Sequence, residues 1–111
     1  MEKIPYSDFV KLNLKVGLIK EVENHPNAEK LFVLKVDLGE NSARTIVAGL
    51  KGFYSAEELK GKKAVFVSNL EPVTLRGVES NGMILAAVSE GKNKVVFITP
   101  EKDMAAGTKI S

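Results

Sequence analysis

Asn24-His25-Pro26-Asn27-Ala28-Glu29-Lys30-Leu31-Phe32-Val33-Leu34 separates one apparent strand, Asn13–Glu23, from another, Leu31–Leu38. Pro26 fixes φ and the flanking Asn24 and Asn27 tolerate turn geometry, so the segment reads as a loop. Its imidazole, side-chain amides and Lys30 ammonium suit contacts to phosphate, sugar or base edges. Past the loop, Phe32, Leu34, Val36 and Leu38 alternate with Val33, Lys35 and Asp37, the period of a strand with one buried face.

Upstream, Leu14, Val16 and Leu18, with Val22 beyond, give the first strand a buried face. Gly17 inside it predicts a bend or bulge, the device that lets one strand serve both halves of a curled sheet. Downstream, Gly39-Glu-Asn-Ser42 turns the chain into a third strand around Ala43–Ala48. Ser55 and Glu58 stand at capping-box spacing, so a short helix starts there, with Gly61 as its stop. Lys63–Ser68 and Met83–Val88 read as strands four and five. Pro5 suits the first turn of an N-terminal helix with Tyr6, Phe9 and Val10 on one face.

Three strands, a short helix and two more strands is the OB-fold order, with the helix plugging the barrel between strands three and four. An SH3-like barrel competes on strand count but lacks the placed helix. The expected fold is all-β: a five-stranded OB-fold barrel over about residues 8–88, two short helices, and a C-terminal strand extension over about residues 89–111.

At 111 residues the chain is one domain, and 44% hydrophobic residues are enough for a core. With no cysteine there is no disulfide, thiolate-bound zinc or Cys nucleophile. The single His lies in no metal-ligand spacing, and the glycines form neither GxGxxG nor a P-loop. No catalysis, metal or cofactor is therefore expected. No apolar run reaches membrane-spanning length and Met1-Glu-Lys-Ile-Pro5 has no signal-peptide core, so a cytoplasmic location is expected. Sixteen Lys and Arg against fourteen Asp and Glu leave a formal charge of only +2. A nucleic-acid partner would thus need localised positive charge.

Asn13-Leu-Lys-Val-Gly17, the 24–34 loop, Thr45-Ile-Val-Ala-Gly-Leu-Lys51, Asn69-Leu-Glu-Pro72 and Leu75-Arg-Gly-Val-Glu-Ser-Asn-Gly-Met-Ile-Leu-Ala-Ala87 follow in an order and spacing that is informative together. They resemble the structure-independent tRNA-binding domain family, which includes the C-terminal appendage of bacterial methionyl-tRNA synthetase. The resemblance covers roughly residues 8–111, and at this length it is to the small free-standing dimeric members. It implies non-catalytic tRNA binding by shape and backbone with little species preference, a homodimer, and an aminoacyl-tRNA synthetase as a further partner. A small OB-fold chaperone family of protein export is the rival resemblance; it lacks a good match to His25–Lys30.

Residue by residue, Asn24, His25, Asn27 and Lys30 match the family's first loop, with Asn24, His25 and Lys30 taken as its tRNA contacts, while Arg76, Ser80 and Met83 match the segment leading into strand five. Lys15, Lys35 and Arg44 lie on the first three strands at a parity read as outward, towards the surface where OB-folds bind nucleic acid. Many relatives carry Arg at position 15; Lys15 keeps the charge but not the planar fork. Aromatic residues are few, and Phe32 and Phe66 read as core, which favours recognition of folded RNA over base stacking.

Val95-Val-Phe-Ile98 is apolar at consecutive positions, hence on both faces of a strand. Leaving such side chains uncovered forfeits about 1.5–3 kcal/mol each. A twofold copy would cover them. The expected dimer surface is Tyr6, Phe9, Val95, Phe97 and Ile98.

Overall fold

The computed structural model describes all residues, Met1–Ser111. In chain order the elements are α1 (Tyr6–Phe9), β1 (Leu14–Asn24), β2 (Phe32–Asp37), β3 (Arg44–Ala48), α2 (Ala56–Leu59), β4 (Lys63–Val67), β5 (Val73–Leu75), β6 (Val78–Ser80), β7 (Met83–Ile84), β8 (Ala86–Val88), β9 (Val95–Phe97) and β10 (Lys109–Ile110).

β1 is the shared strand. Its second half pairs with β2, which pairs with β3; its first half pairs with β4, which pairs with β7. All these pairings are antiparallel. The Asn81 N–H donates to the Thr45 carbonyl at 2.9 Å, drawing the chain ahead of β7 against β3. The result is the nearly closed five-strand barrel with short helices that the strand order predicts. Ile19, Phe32, Leu34, Val36, Ile46 and Phe66 fill it. Leu59 of α2 joins that cluster. The helix starts at Ser55 with both capping-box bonds made, Glu58 N–H to Ser55 Oγ at 3.1 Å and Ser55 N–H to Glu58 Oε1 at 2.8 Å.

The bulge in β1 is not at Gly17. Register runs Leu18↔Asp37 and Ile19↔Val36, then resumes at Glu21↔Lys35, so Lys20 is the extra residue. Gly17 is required for a different reason. A Cβ there would meet the Phe66 ring at 2.5 Å and Val36 Cγ1 at 2.8 Å, so the glycine makes room for a core aromatic. The extra residue at Lys20 also breaks the expected alternation of Leu14, Val16 and Leu18 with Val22. Gly17 and Ile19 look into the barrel, whereas Leu14 and Val16 share the opposite face with their partners Val67 and Val65. All four of those residues are also buried.

The C-terminal residues are woven into the fold. β9 pairs with β8, and the N–H of Val65 on β4 donates to the Ile98 carbonyl at 2.9 Å. β10 then lies beside the start of β1 (Leu14↔Ile110), preceded by Gly107 N–H to Val16 O at 2.7 Å. Lys63 Nζ, bonded to Asp103 at 2.7 Å and to the Met104 carbonyl at 2.6 Å, holds the connection. The expected doubly apolar edge is thereby resolved in part: Val95 and Phe97 pack against their own core, with Phe97 and Tyr54 ring centroids 5.2 Å apart. Val96 and Ile98 remain exposed. No helix is long and apolar enough to cross a membrane.

Candidate nucleic-acid interface

The loop ahead of β2 is built around His25, which is 5% exposed. A carbonyl can only accept, so the 2.9 Å contact to Leu75 O makes Nε2 the protonated nitrogen. Nδ1 then accepts from the Asn27 N–H at 2.9 Å. The imidazole is neutral and fully used within the protein. The expected RNA contact by His25 is corrected accordingly: buried and doubly bonded, the ring organises the loop.

Its partner, Leu75, ends β5. The β5–β6 hairpin turns at Arg76 and Gly77, both at positive φ (53° and 92°), the backbone pattern of a two-residue type I′ turn. This hairpin was legible as a residue-plus-Gly turn between Val73-Thr-Leu75 and Val78-Glu-Ser80, but strands of three residues each are too short for their alternation to stand out. Loop and hairpin interlock further: Asn27 Nδ2 donates to Arg76 O and Arg76 Nη2 donates to Asn27 O, both at 3.3 Å. The exposed Asn27 and Arg76 are thus brought together from positions about fifty residues apart, with Asn24 and Lys30 exposed at the two ends of the same loop.

Ser80 faces inwards. At 2% exposed, its Oγ accepts from Val47 N–H at 2.9 Å and donates to Gly82 O at 3.1 Å, so it joins β6 to β3 and has no face for RNA. Met83, paired with Val67, is exposed beside it.

The three basic strand residues divide. Lys35 points outwards as expected, opposite Glu21 and Thr45, with its Nζ donating to Thr45 Oγ1 at 2.6 Å. Arg44 does not. It pairs with buried Val36 and precedes buried Ile46 by two, so it stands on the core-side register at the barrel's end. Its guanidinium makes a fork with Glu40, Nε to Oε1 at 2.9 Å and Nη2 to Oε2 at 2.7 Å, and Nη1 donates to the Ser68 carbonyl. Lys15, paired with Phe66, shares that inward register. The Arg44 hydrogen bond, opposed by partial burial and aided by the charges of Arg44 and Lys15, holds the Glu40 carboxyl below its usual pKa. The outward placement of Lys15 and Arg44 is therefore corrected: Lys15 shares the parity of Gly17 and Ile19, and Arg44 that of Ile46.

Two open clefts flank these residues. One, of about 520 Å³, lies between Glu40, Arg44, Leu70, Pro72 and Asn81. The other, of about 420 Å³, is lined by Lys20, Glu21, Lys35, Ala43 and Lys60. Lys20 and Lys60 had no local signal to single them out, since each is an ordinary exposed lysine in sequence. No group of His, Cys, Asp and Glu is arranged to hold a metal ion.

Residues 14–109 match the family model "Putative tRNA binding domain", and the chain belongs to that tRNA-binding domain family. It is 53% identical over 110 residues to the methionine–tRNA ligase of Pyrococcus horikoshii, covering 99% of this chain and 15% of that protein. It is 50% identical to the corresponding enzyme of Methanococcus aeolicus, over 16% of its length. The chain thus spans about a seventh of the length of the curated relatives it matches, and only their tRNA-binding part. Among solved structures, a methionyl-tRNA synthetase-related protein of Pyrococcus horikoshii superposes with a TM-score of 0.92 at 40% identity, each chain covered completely. The chaperone CsaA of Bacillus anthracis superposes at 0.88 with 30% identity, covering 99% of this chain and 100% of that one.

Proposed function

We propose that the protein binds tRNA without catalysis, by shape and backbone, with little preference among tRNA species, and acts as a cytoplasmic homodimer alongside an aminoacyl-tRNA synthetase. The observation that carries the reading is the tRNA-binding family match across residues 14–109. The exposed Asn24, Lys30 and Arg76 of the interlocked loop and hairpin, together with Lys35, supply the contacts. Chemically these are ammonium, guanidinium and amide donors with no adjoining aromatic platform, a set that suits phosphate and 2′-hydroxyl oxygens more than stacked bases.

The dimer rests on the N-terminal segment. Nothing in α1 is buried, and Ile4, Tyr6, Val10 and Leu12 are all exposed, Tyr6 at 75%. A four-residue helix does not persist by itself, so a partner surface is needed. A second copy of the chain meets that need, with Ile98 and Val96 extending the patch. Val95 and Phe97 serve the monomer's own core instead.

Similarity to CsaA and the exposed Leu70, Val73 and Leu75 favour a second reading, the holding of unfolded polypeptide. One measurement separates the two. If about four phosphates are neutralised, tRNA affinity should fall with salt at a log–log slope of roughly −3 to −4, at about 0.7–0.9 per contact. Unrelated tRNAs should bind alike. Equal competition by unstructured RNA of the same length, or suppression of client aggregation without tRNA binding, would overturn the tRNA reading.

A further inference from the structure

The cleft lined by Lys20, Glu21, Lys35, Ala43 and Lys60 brings three ammonium groups together from three separate elements. Lys20 is the unpaired residue of the β1 bulge, a geometry that re-aims a strand side chain. Lys35 comes from β2, and Lys60 follows the last turn of α2. Three lysines against one glutamate give the cleft a formal +2, as large as the excess of sixteen over fourteen for the whole chain.

None of the three is neutralised. The ion pairs of the structure belong to Lys11, Arg44 and Lys63. Lys35 stands directly opposite Glu21 in register, yet its Nζ bonds to the Thr45 hydroxyl at 2.6 Å. A hydroxyl partner fixes the ammonium without cancelling its charge and leaves two of its three N–H donors free. Ala43 is the sole apolar residue of the lining, so lysines dominate the side-chain chemistry of the cleft.

We infer that this cleft is a phosphodiester-binding site, a second anchor for the RNA backbone beside the loop–hairpin surface. Lys20 and Lys60 contact phosphate there, and Lys35, held by Thr45, is its fixed member. The inference rests on the tRNA-binding reading and extends it to two residues outside the loop and hairpin. Lysines act on phosphate as point charges, so the site adds affinity and salt dependence without reading sequence.

The test is tRNA binding by the full chain across a salt series, for Lys20→Ala/Lys60→Ala and for a control pair of equal charge change, Lys94→Ala/Lys102→Ala. All four side chains are exposed, so both variants keep the fold, and Lys20→Gln/Lys60→Gln repeats the test with longer polar stems. Loss of two phosphate contacts should make the log–log slope shallower by roughly 1.5 units, at about 0.7–0.9 per contact. The control slope should not change. Wild-type protein that binds tRNA while the Lys20/Lys60 pair keeps its slope, or loses no more than the control, overturns this inference alone. Wild-type protein that fails to bind tRNA overturns the functional reading with it. A cleft that instead binds poly-glutamate, with the same pair abolishing that binding and sparing tRNA, also overturns it.

Discussion

His25 Nε2–H donates to the Leu75 carbonyl at 2.9 Å, joining the loop ahead of β2 to the β5–β6 hairpin across fifty residues of sequence. Because Nδ1 of the same ring accepts the Asn27 N–H, one buried side chain shapes the loop and docks it. The docking of the loop that carries Lys30 against the hairpin that carries Arg76 thus depends on a residue that is itself almost wholly buried.

His25→Ala should therefore leave the Leu75 carbonyl and the Asn27 N–H unpaired. Both groups belong to exposed residues that water can reach, so each lost hydrogen bond is worth about 0.5–1.5 kcal/mol net. Urea unfolding should show destabilisation in that range, and the Asn27 amide should exchange hydrogen faster. An unchanged exchange rate would mean the loop holds its shape without the imidazole.

Gly17→Ala places a methyl 2.5 Å from the Phe66 ring and 2.8 Å from Val36. Both neighbours are fully enclosed in the core and have little room to retreat. Overpacking of this kind destabilises by about 1–3 kcal/mol. The midpoint of urea unfolding should drop accordingly, while Gly52→Ala, which meets nothing within 4 Å, should be near neutral.

The Glu40–Arg44 fork gives stability a pH dependence of defined sign. The folded protein keeps Glu40 ionised below its ordinary pKa, so on acidification the unfolded chain takes up the proton first. The contribution is complete above the unfolded value of roughly 4.3 and is lost as pH falls through the lower folded value. With both side chains partly exposed it amounts to about 1 kcal/mol or less. The stability difference between wild type and Glu40→Gln should accordingly be constant near neutrality and shrink below about pH 4. A difference that grows on acidification would contradict this sign.

Tyr6→Asp should yield a folded monomer in sedimentation equilibrium at micromolar concentration, since Tyr6 contacts little in its own chain beyond Phe9. Phe97→Asp should behave differently. It removes the ring against Tyr54 and puts a carboxylate beside the core, so it should unfold the chain rather than dissociate it. A wild-type protein that sediments as a 12.0 kDa monomer would remove the dimer.

The sequence by itself determined the features whose signals are local. Alternation in Phe32–Leu38 placed β2 and its buried face, Ser55 and Glu58 placed α2, and the order of elements identified the barrel. Such patterns are written within a few residues, because strand period and helix capping depend on near neighbours. Tertiary structure alone decided which way the bases point. The extra residue at Lys20 breaks the period between Ile19 and Val22, so Leu14, Val16 and Leu18 do not share the face of Val22, and with apolar residues on both faces no alternation reveals it. Arg44 found Glu40 and the Ser68 carbonyl at the barrel's end, His25 found Leu75, and Lys20, Lys35 and Lys60 met across three elements. Hydrogen bonds and charge clusters between segments far apart in the chain leave no periodic trace; they exist only once the backbone has closed.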